Sequence, residues 1–431
     1  MNEKIKNYQQ LLQSGDHASR RIVLDIMEET LQRLDAYHRL RSILNVEDGV
    51  LHIGAKSWDL RKKQRIYLIG AGKACNAMAL AVEEALGSYL SQGIAIVKLS
   101  EPADQRFRVT RLYLGGHPLP NEAGRQACEE IRKLIESSGP EDLFLCVMSG
   151  GSSALMSCPL PGISLEDEGR TADILLKSGA GIREINAVRR HISSMNGGRM
   201  AELIHSRGAE LIGFNISDAV GNPPTGDIAI PWRNFSATPM GPDLTTLAEA
   251  KEVIARYELG QRLPQSVRAF FANAGAEYET PKAFPNNTYY QLNTIADSCR
   301  YAAQAAAGRQ IAAYTLTSFI QGEALETGRF LAAVARETYR YGQPFTPPCL
   351  ILSSGEAVTT ISDTDTIAGH GGPSQEMALG FALDAAAVPG ACLISVDSEG
   401  TDGTTCHAGG IADSQTLANA AAIGIDLHAA L

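Results

Sequence analysis

The sequence predicts an α/β fold in two α/β domains. The larger N-terminal one spans residues 1–245 and carries a parallel, Rossmann-like sheet; the smaller C-terminal one spans 246–431, with a cleft between them. Three observations carry this. Apolar runs (RIYLIG, GIAIVKL, VTRLYLGG, DLFLCVM, AELIGFNIS) alternate with helical patterns, as strands covered on both faces do. Two of the runs end in small-residue turns that lead into helices, GAGK and SGGSS. After Ile228 the composition shifts to IPWRNFSATPMGPD before helical periodicity resumes in TTLAEAKEVIARYEL. A ligand belongs outside the carboxyl ends of such strands.

Taken in order, residues 18–44 mix Ile, Leu and Met with charges at helical spacing and predict one long amphipathic helix in a packing role. The strand runs follow, with helices at NEAGRQACEEIRKLIESS and from Leu165 onward. Beyond the composition shift, TYYQLNTIA, IAAYTLTS, CLILSSG and ACLISVD read as strands of the second domain. GEALETGRFLAAVARETYRYG and SQEMALGFALDAA read as its helices.

The 431 residues are 44% hydrophobic, enough for two or three cores. A net charge of -10 argues against nucleic acid, which needs a concentrated basic face. MNEKIKNYQQLLQSG lacks the apolar core of a signal peptide and no run reaches the length of a membrane span, so a cytoplasmic protein without a membrane partner is expected. The eight cysteines, Cys75, Cys146, Cys158 and Cys392 among them, show no CxxC pairing and are expected reduced. His117, His191, His370 and His407 lack metal-ligand spacing.

The SGGSS turn suits an anion. Gly150 and Gly151 allow close approach and positive φ, Ser149, Ser152 and Ser153 bring hydroxyls, and a helix start offers unpaired N–H groups. A serine-capped tight turn explains the same residues without a ligand. In GAGK, Gly70, Gly72 and Cys75 approach a dinucleotide fingerprint, but the acid expected about 20 residues on is not clearly present. Lys73 instead places a cation inside the turn, suited to an anionic substrate or a transferring phosphoryl group. His117 in GGHPLPNEAG reads first as bonded within its own loop and second as a contact to substrate. Asn186 and Arg189 (i, i+3) share a helical face with Arg190, and an arginine there can clamp a carboxylate. Asp218, Glu323, Asp397, Glu399 and Asp402 sit at predicted strand ends, where carboxylates can hold Mg²⁺ or accept a proton, though each alone reads as a cap or turn acid. Two anion turns, an arginine face and these acids together suggest phosphoryl transfer.

GAGKACNAMA, GGHPLPNEAG, MSGGSSALMSCPLPGISLED, LLKSGAGIREINAVRRHISSMNGGRMAEL, ISDAVG, GGPSQEMAL and SEGTDGTTCHAGGIAD resemble the glycerate 2-kinase family with its MOFRL C-terminal domain, whose members are also labelled hydroxypyruvate reductases. The resemblance implies two α/β domains around a cleft, a MOFRL-type region at about 310–425, and ATP-dependent phosphorylation of D-glycerate at its 2-hydroxyl with a divalent metal. It maps Lys73 onto the family's turn lysine, Ser149 to Ser153 onto SGGGSAL, Asn186 and Arg189 onto INxVR, Asp218 onto SDVVG, Glu323 onto GEA, and Asp402 onto the second acid of TDGxDGPT. The chain departs from the pattern at several places. Asn196 replaces a lysine, Pro373 and Ser374 replace Arg-Asn, and Glu399 replaces an Asp. A longer loop bearing Trp232 and Arg233 replaces ASGPT.

The resulting expectation is an ATP- and Mg²⁺-dependent kinase of a small hydroxy acid, D-glycerate or a relative such as a four-carbon aldonate. Lys73, Arg189 and Asp218 would be catalytic, with Asp218 as metal ligand or base. Gly72, Ser149, Gly150, Gly151, Ser152, Ser153 and Asn186 would bind substrate or phosphate, and Glu323 and Asp402 would serve the nucleotide side. The alternatives are an NAD(P)H-dependent hydroxypyruvate reductase, a kinase of another short sugar acid, and a non-catalytic metabolite-binding paralogue. Oligomeric state stays open, a homodimer included.

Overall fold

The structure, a computed structural model, describes residues 3–98, 106–117, 119–225, 239–284, 288–360 and 369–429, and the backbone of 230–231. Trp232 and Arg233 lie outside the described residues. The chain divides into two units, one of residues 36–219 and 225–293, the other of 1–35, 220–224 and 294–431. This differs from the expected boundary at 245/246. TYYQLN joins the sheet of the large unit, and the leading helix groups with the C-terminal residues.

The large unit opens on an antiparallel meander, β1 (Asn45–Glu47), β2 (Val50–Ile53) and β3 (Lys56–Asp59), which sequence reasoning missed because its strands are only three or four residues long. The main sheet holds β4 (Ile66–Ala71), β5 (Gln92–Lys98), β6 (Thr110–Gly115), β7 (Leu143–Met148), β8 (Glu210–Ile216), β9 (Ile230–Pro231) and β10 (Thr288–Asn293). Its order is β6-β5-β4-β7-β8-β10-β9; all neighbours are parallel except β9, which runs antiparallel to β10. This is the doubly wound order, reversing between β4 and β7, and open α/β sheets bind ligands at that reversal.

β4 and β7 are buried along their whole length, which is why they read as unbroken apolar runs. Their alternating side chains feed two cores. Tyr67, Ile69, Phe144 and Cys146 pack with the helices Glu122–Glu136 and Arg199–Ser206, while Ile66, Leu68, Leu145 and Val147 pack with Cys75–Leu86. A third core joins four helices, Leu165–Leu176, Ile182–His191, Leu247–Arg256 and Gln265–Asn273, through Leu175, Ile185, Val188, Leu247, Val253 and Val267. The second of these helices carries Asn186 and Arg189.

The other unit contains a parallel pair, β11 (Ala312–Glu323) with β12 (Cys349–Val358), and an antiparallel pair, β13 (Cys392–Val396) with β14 (Gly409–Asp413). The helices Ala324–Tyr341 and Pro373–Ala385 share a core through Leu331, Ala332, Ala378 and Phe381. The expected single helix over 18–44 is two, His17–Leu34 and Ala36–Arg41, broken at Asp35. The first packs Ile26 with Cys299, Ala302 and Ala305 of the helix Ile295–Ala307. Its Arg20 forms a buried ion pair with Asp413. Among the described residues no helix is long and apolar enough to cross a membrane.

Candidate active site

The two glycine turns leave neighbouring strands and are hydrogen-bonded to each other. Gly72 follows β4 with φ +130; a Cβ there would lie 2.2 Å from Ser149 Oγ, so only glycine lets the turns meet. Ala74 N donates to Ser149 Oγ (2.9 Å), Lys73 N to Gly150 O (2.9 Å) and Ser149 N to Ala71 O (3.1 Å). These contacts give Gly72 and Ser149 a structural role beside the phosphate-binding one expected of them. Gly72 makes room for protein, and the buried Ser149 hydroxyl stitches the two turns.

What these bonds leave over is the useful part of SGGSS. The N–H groups of Gly150, Gly151 and Ser153 have no partner among the described residues, whereas Ser152 N is held by Ser149 O (3.2 Å). Gly151 adopts the left-handed region, φ +81, and the helix after it is a single turn, Ser152–Leu155. Successive free amides around such a bend form an anion-binding concavity. Ser152 is buried and Ser153 half-buried, and Asn196 Nδ2 braces the turn by donating to Ser153 O (3.1 Å) and Met156 O (3.2 Å).

Side chains wall the amides on both sides. Asp218, just past β8, lies over Gly150, where a Cβ would sit 1.8 Å from its Oδ2. His117, past β6, lies against Gly151, where a Cβ would be 2.9 Å from Cδ2 and 3.3 Å from Lys73 Cγ. Lys73 Nζ is 3.9 Å from Asp218 Oδ2, a loose and solvent-screened pair. Burial first, then the charges of Lys73, Lys98 and Arg189, push the His117 imidazole down to about 4, with Asp218 opposing. His117 is thus neutral at neutral pH. Its ring makes no hydrogen bond among the described residues, so the reading of a histidine bonded within its own loop is corrected.

Arg189 and Asn186 lie half-buried on one helix, and neither carries a hydrogen bond or ion pair among the described residues. Burial presses the Arg189 guanidinium down and the charge of Glu168 holds it up. Arg190 is different. It is buried and bound to Asp243 Oδ1 at 2.9 Å, within a network that includes Thr245 and Thr280.

In the other unit, Asp402 is 1% exposed, and its carboxylate accepts from Ser374 N (3.0 Å), Gln375 N (2.8 Å) and Gln375 Nε2 (3.0 Å), capping the helix that starts at Pro373. Glu323 ends β11 and accepts from Thr360 N (3.1 Å). Within the large unit the structure brings together Lys73, Gly150, Gly151, His117 and Asp218, and the charge of Arg189 acts on that His117; Glu323 and Asp402 belong to the other unit.

Two participants were missed outright. Lys98 ends a parallel strand, a position that alone marks it as facing the ligand side. Glu168 falls at i, i+4 and i+7 with Ala172 and Leu175, the buried stripe of its helix, a signal legible in the sequence.

A family described as a domain of unknown function (DUF4147) matches residues 22–272, and the MOFRL family matches 349–431. The chain is 34% identical over 418 residues to a glycerate 2-kinase of Pyrococcus horikoshii, covering 96% of this chain and 90% of that one. The chain belongs to the glycerate 2-kinase family. A D-glycerate 2-kinase of Thermotoga maritima is 32% identical, over 84% of this chain and 82% of its own. The crystal structure of a glycerate kinase from Thermotoga maritima superposes with a TM-score of 0.77 at 28% identity, covering 96% of this chain and 91% of that one. The glycerate 2-kinase family therefore accounts for both units. Asn196, where the family pattern has lysine, is here a neutral brace of the SGGSS turn.

Proposed function

We propose that the chain is an ATP-dependent kinase that transfers the γ-phosphoryl group to the 2-hydroxyl of D-glycerate. The observation that carries this is the set of free amides at Gly150, Gly151 and Ser153 beyond the carboxyl end of a parallel strand, with Lys73, His117 and Asp218 against them and the charges of Lys98 and Arg189 acting on that same His117. Phosphoryl transfer needs positioned donors and cations more than covalent chemistry. Lys73 and Arg189 hold the substrate carboxylate and neutralise phosphoryl charge, with Asn186 beside Arg189 on the same helix. The amides and the Ser152 and Ser153 hydroxyls take a phosphate.

Among the described residues no three ligand-type side chains form a metal cluster. Asp218 is the carboxylate that would hold a magnesium ion bound with ATP, and the ion would neutralise phosphate charge there. Neutral His117 takes the hydroxyl proton as the new O–P bond forms and ADP leaves. Glu323 and the turn capped by Asp402 belong to the nucleotide side of the same proposal.

The reductase alternative is disfavoured by Lys98. The strand after a dinucleotide-binding turn normally supplies an acid for the ribose, and β5 ends in a cation. The test is ATP consumption by the purified protein with Mg²⁺ over a panel of short hydroxy acids. D-glycerate should be turned over; no turnover with any member, or NADH oxidation with hydroxypyruvate instead, would contradict the proposal.

A further inference from the structure

Behind the anion clamp sits a carboxyl group that the proposed chemistry does not use. Glu168 lies on the helix Leu165–Leu176, packed against the helix of Arg189, and is 7% exposed. Its Oε2 has no hydrogen-bond partner. It acts on Arg189 electrostatically, yet the two form no ion pair within 4.0 Å among the described residues. A buried carboxylate with one oxygen unpartnered, under the charge of a half-buried guanidinium that forms no ion pair, is a costly arrangement unless one of the two changes state or gains a partner.

We propose that Glu168 is a proton-linked positioning residue: when an anion engages Arg189, Glu168 takes up a proton, so that ligand and proton bind together. The incoming negative charge removes the one cation that favours ionised Glu168 and adds a like charge nearby. As a neutral acid, Glu168 leaves Arg189 wholly to the ligand, and its new O–H gives Oε2 a donor role. The proposal rests on the reading of Arg189 as the anion clamp.

The other groups around Glu168 do not titrate in its place. The thiols of Cys128, on the helix Glu122–Glu136, and Cys158, after the SGGSS turn, are both pushed up by burial, and the charges of Arg132 and Glu129 on that helix act on these thiols. Ser157, bonded to Ala154 O at 2.8 Å, also lies at Glu168 and carries no charge. His117, which shares the field of Arg189, is pushed down to about 4 and stays neutral well above that pH. Burial raises Glu168 to about 7, with Arg189 and then Ser157 opposing. Affinity for an anion should therefore fall as pH rises above about 7, by at most about tenfold per pH unit.

The test is calorimetric titration of the full chain with D-glycerate and, separately, with sulfate, neither of which titrates near neutrality. The titrations are run at pH ~7.5 in buffers of different ionisation enthalpy. Wild type should take up a substantial fraction of a proton with each ligand, and Glu168→Gln should bind with uptake near zero. Equal uptake in both proteins, or binding without uptake in wild type, would overturn the proposal. If sulfate binds with Glu168-dependent uptake but D-glycerate does not bind, the substrate reading fails and the proposal stands. If neither binds, both fail. Should Glu168→Gln fail to fold, the infrared band of a protonated carboxyl in wild type decides: it should grow on adding sulfate, and no growth would overturn the proposal. In turnover, KM for D-glycerate should rise with pH above about 7 in wild type and stay flat in Glu168→Gln with kcat retained, a split that a merely structural role would not produce.

Discussion

Lys73 follows a buried strand, yet its side chain runs beside Gly151 of the next turn, with Nζ 3.9 Å from Asp218 Oδ2. Removing it should cost charge neutralisation and little packing. Lys73→Ala is expected to lower kcat/KM by about 10²-fold or more while changing stability by no more than ~1 kcal/mol; steady-state kinetics and thermal melts check the two halves. Glu168 gives the opposite signature. Its folded-state value of about 7 lies above the ordinary 4.5. The folded protein therefore holds the extra proton between those values, and the stability this contributes is lost as pH rises from about 4.5 to about 7. Glu168→Gln should thus match wild type near pH 5 and be more stable at pH 8, by about 1–3 kcal/mol, since each pKa unit is worth about 1.4 kcal/mol. Melts at the two pH values test this. At this scale the position of Lys73 inside a glycine turn was legible, and the structure sets that turn against SGGSS. The role of Ser149 was less legible, because whether a hydroxyl faces ligand or backbone depends on a neighbouring strand 75 residues away.

Among the elements, the strand-turn-helix units are decided by two positions. Gly150 has room only for hydrogen because the Asp218 carboxylate lies over it, and Gly151 needs both the left-handed region and the space taken by His117. Gly150→Ala should displace Asp218 and reduce turnover by about two orders of magnitude, a scale typical of misplaced reacting groups, while circular dichroism stays that of the folded protein. Unchanged kinetics would remove Asp218 from the site. Fully buried β4 and β7 were legible as strands because parallel strands covered on both faces leave no polar alternation. The meander β1 to β3 was not, being too short to show a period. The helix break at Asp35, where the backbone leaves the helical region (φ -54, ψ 119), also escaped notice, since periodicity continues across it.

For the molecule as a whole, the boundary read from composition marked a loop between strands of one sheet. The strand after it, β10, pairs in parallel with β8, and only the contact pattern shows that the large unit closes near residue 293. A chain whose first 35 residues complete its last unit cannot be divided by a local signal. The Arg20–Asp413 pair is the test of that assignment, because both side chains are buried. Arg20→Ala should strand the Asp413 carboxylate and destabilise the C-terminal unit by about 3–5 kcal/mol. Calorimetry should show this as a separate, lower transition that leaves the large unit's own melting in place. The central claim, that the amides of Gly150, Gly151 and Ser153 with Lys73 and Arg189 serve phosphoryl transfer to a hydroxy acid, is tested most directly by NMR of the product formed from D-glycerate and Mg-ATP. The account predicts a single phosphate ester on the 2-hydroxyl, made by wild type and lost in Lys73→Ala; an unphosphorylated acid, or equal product from the variant, would contradict it.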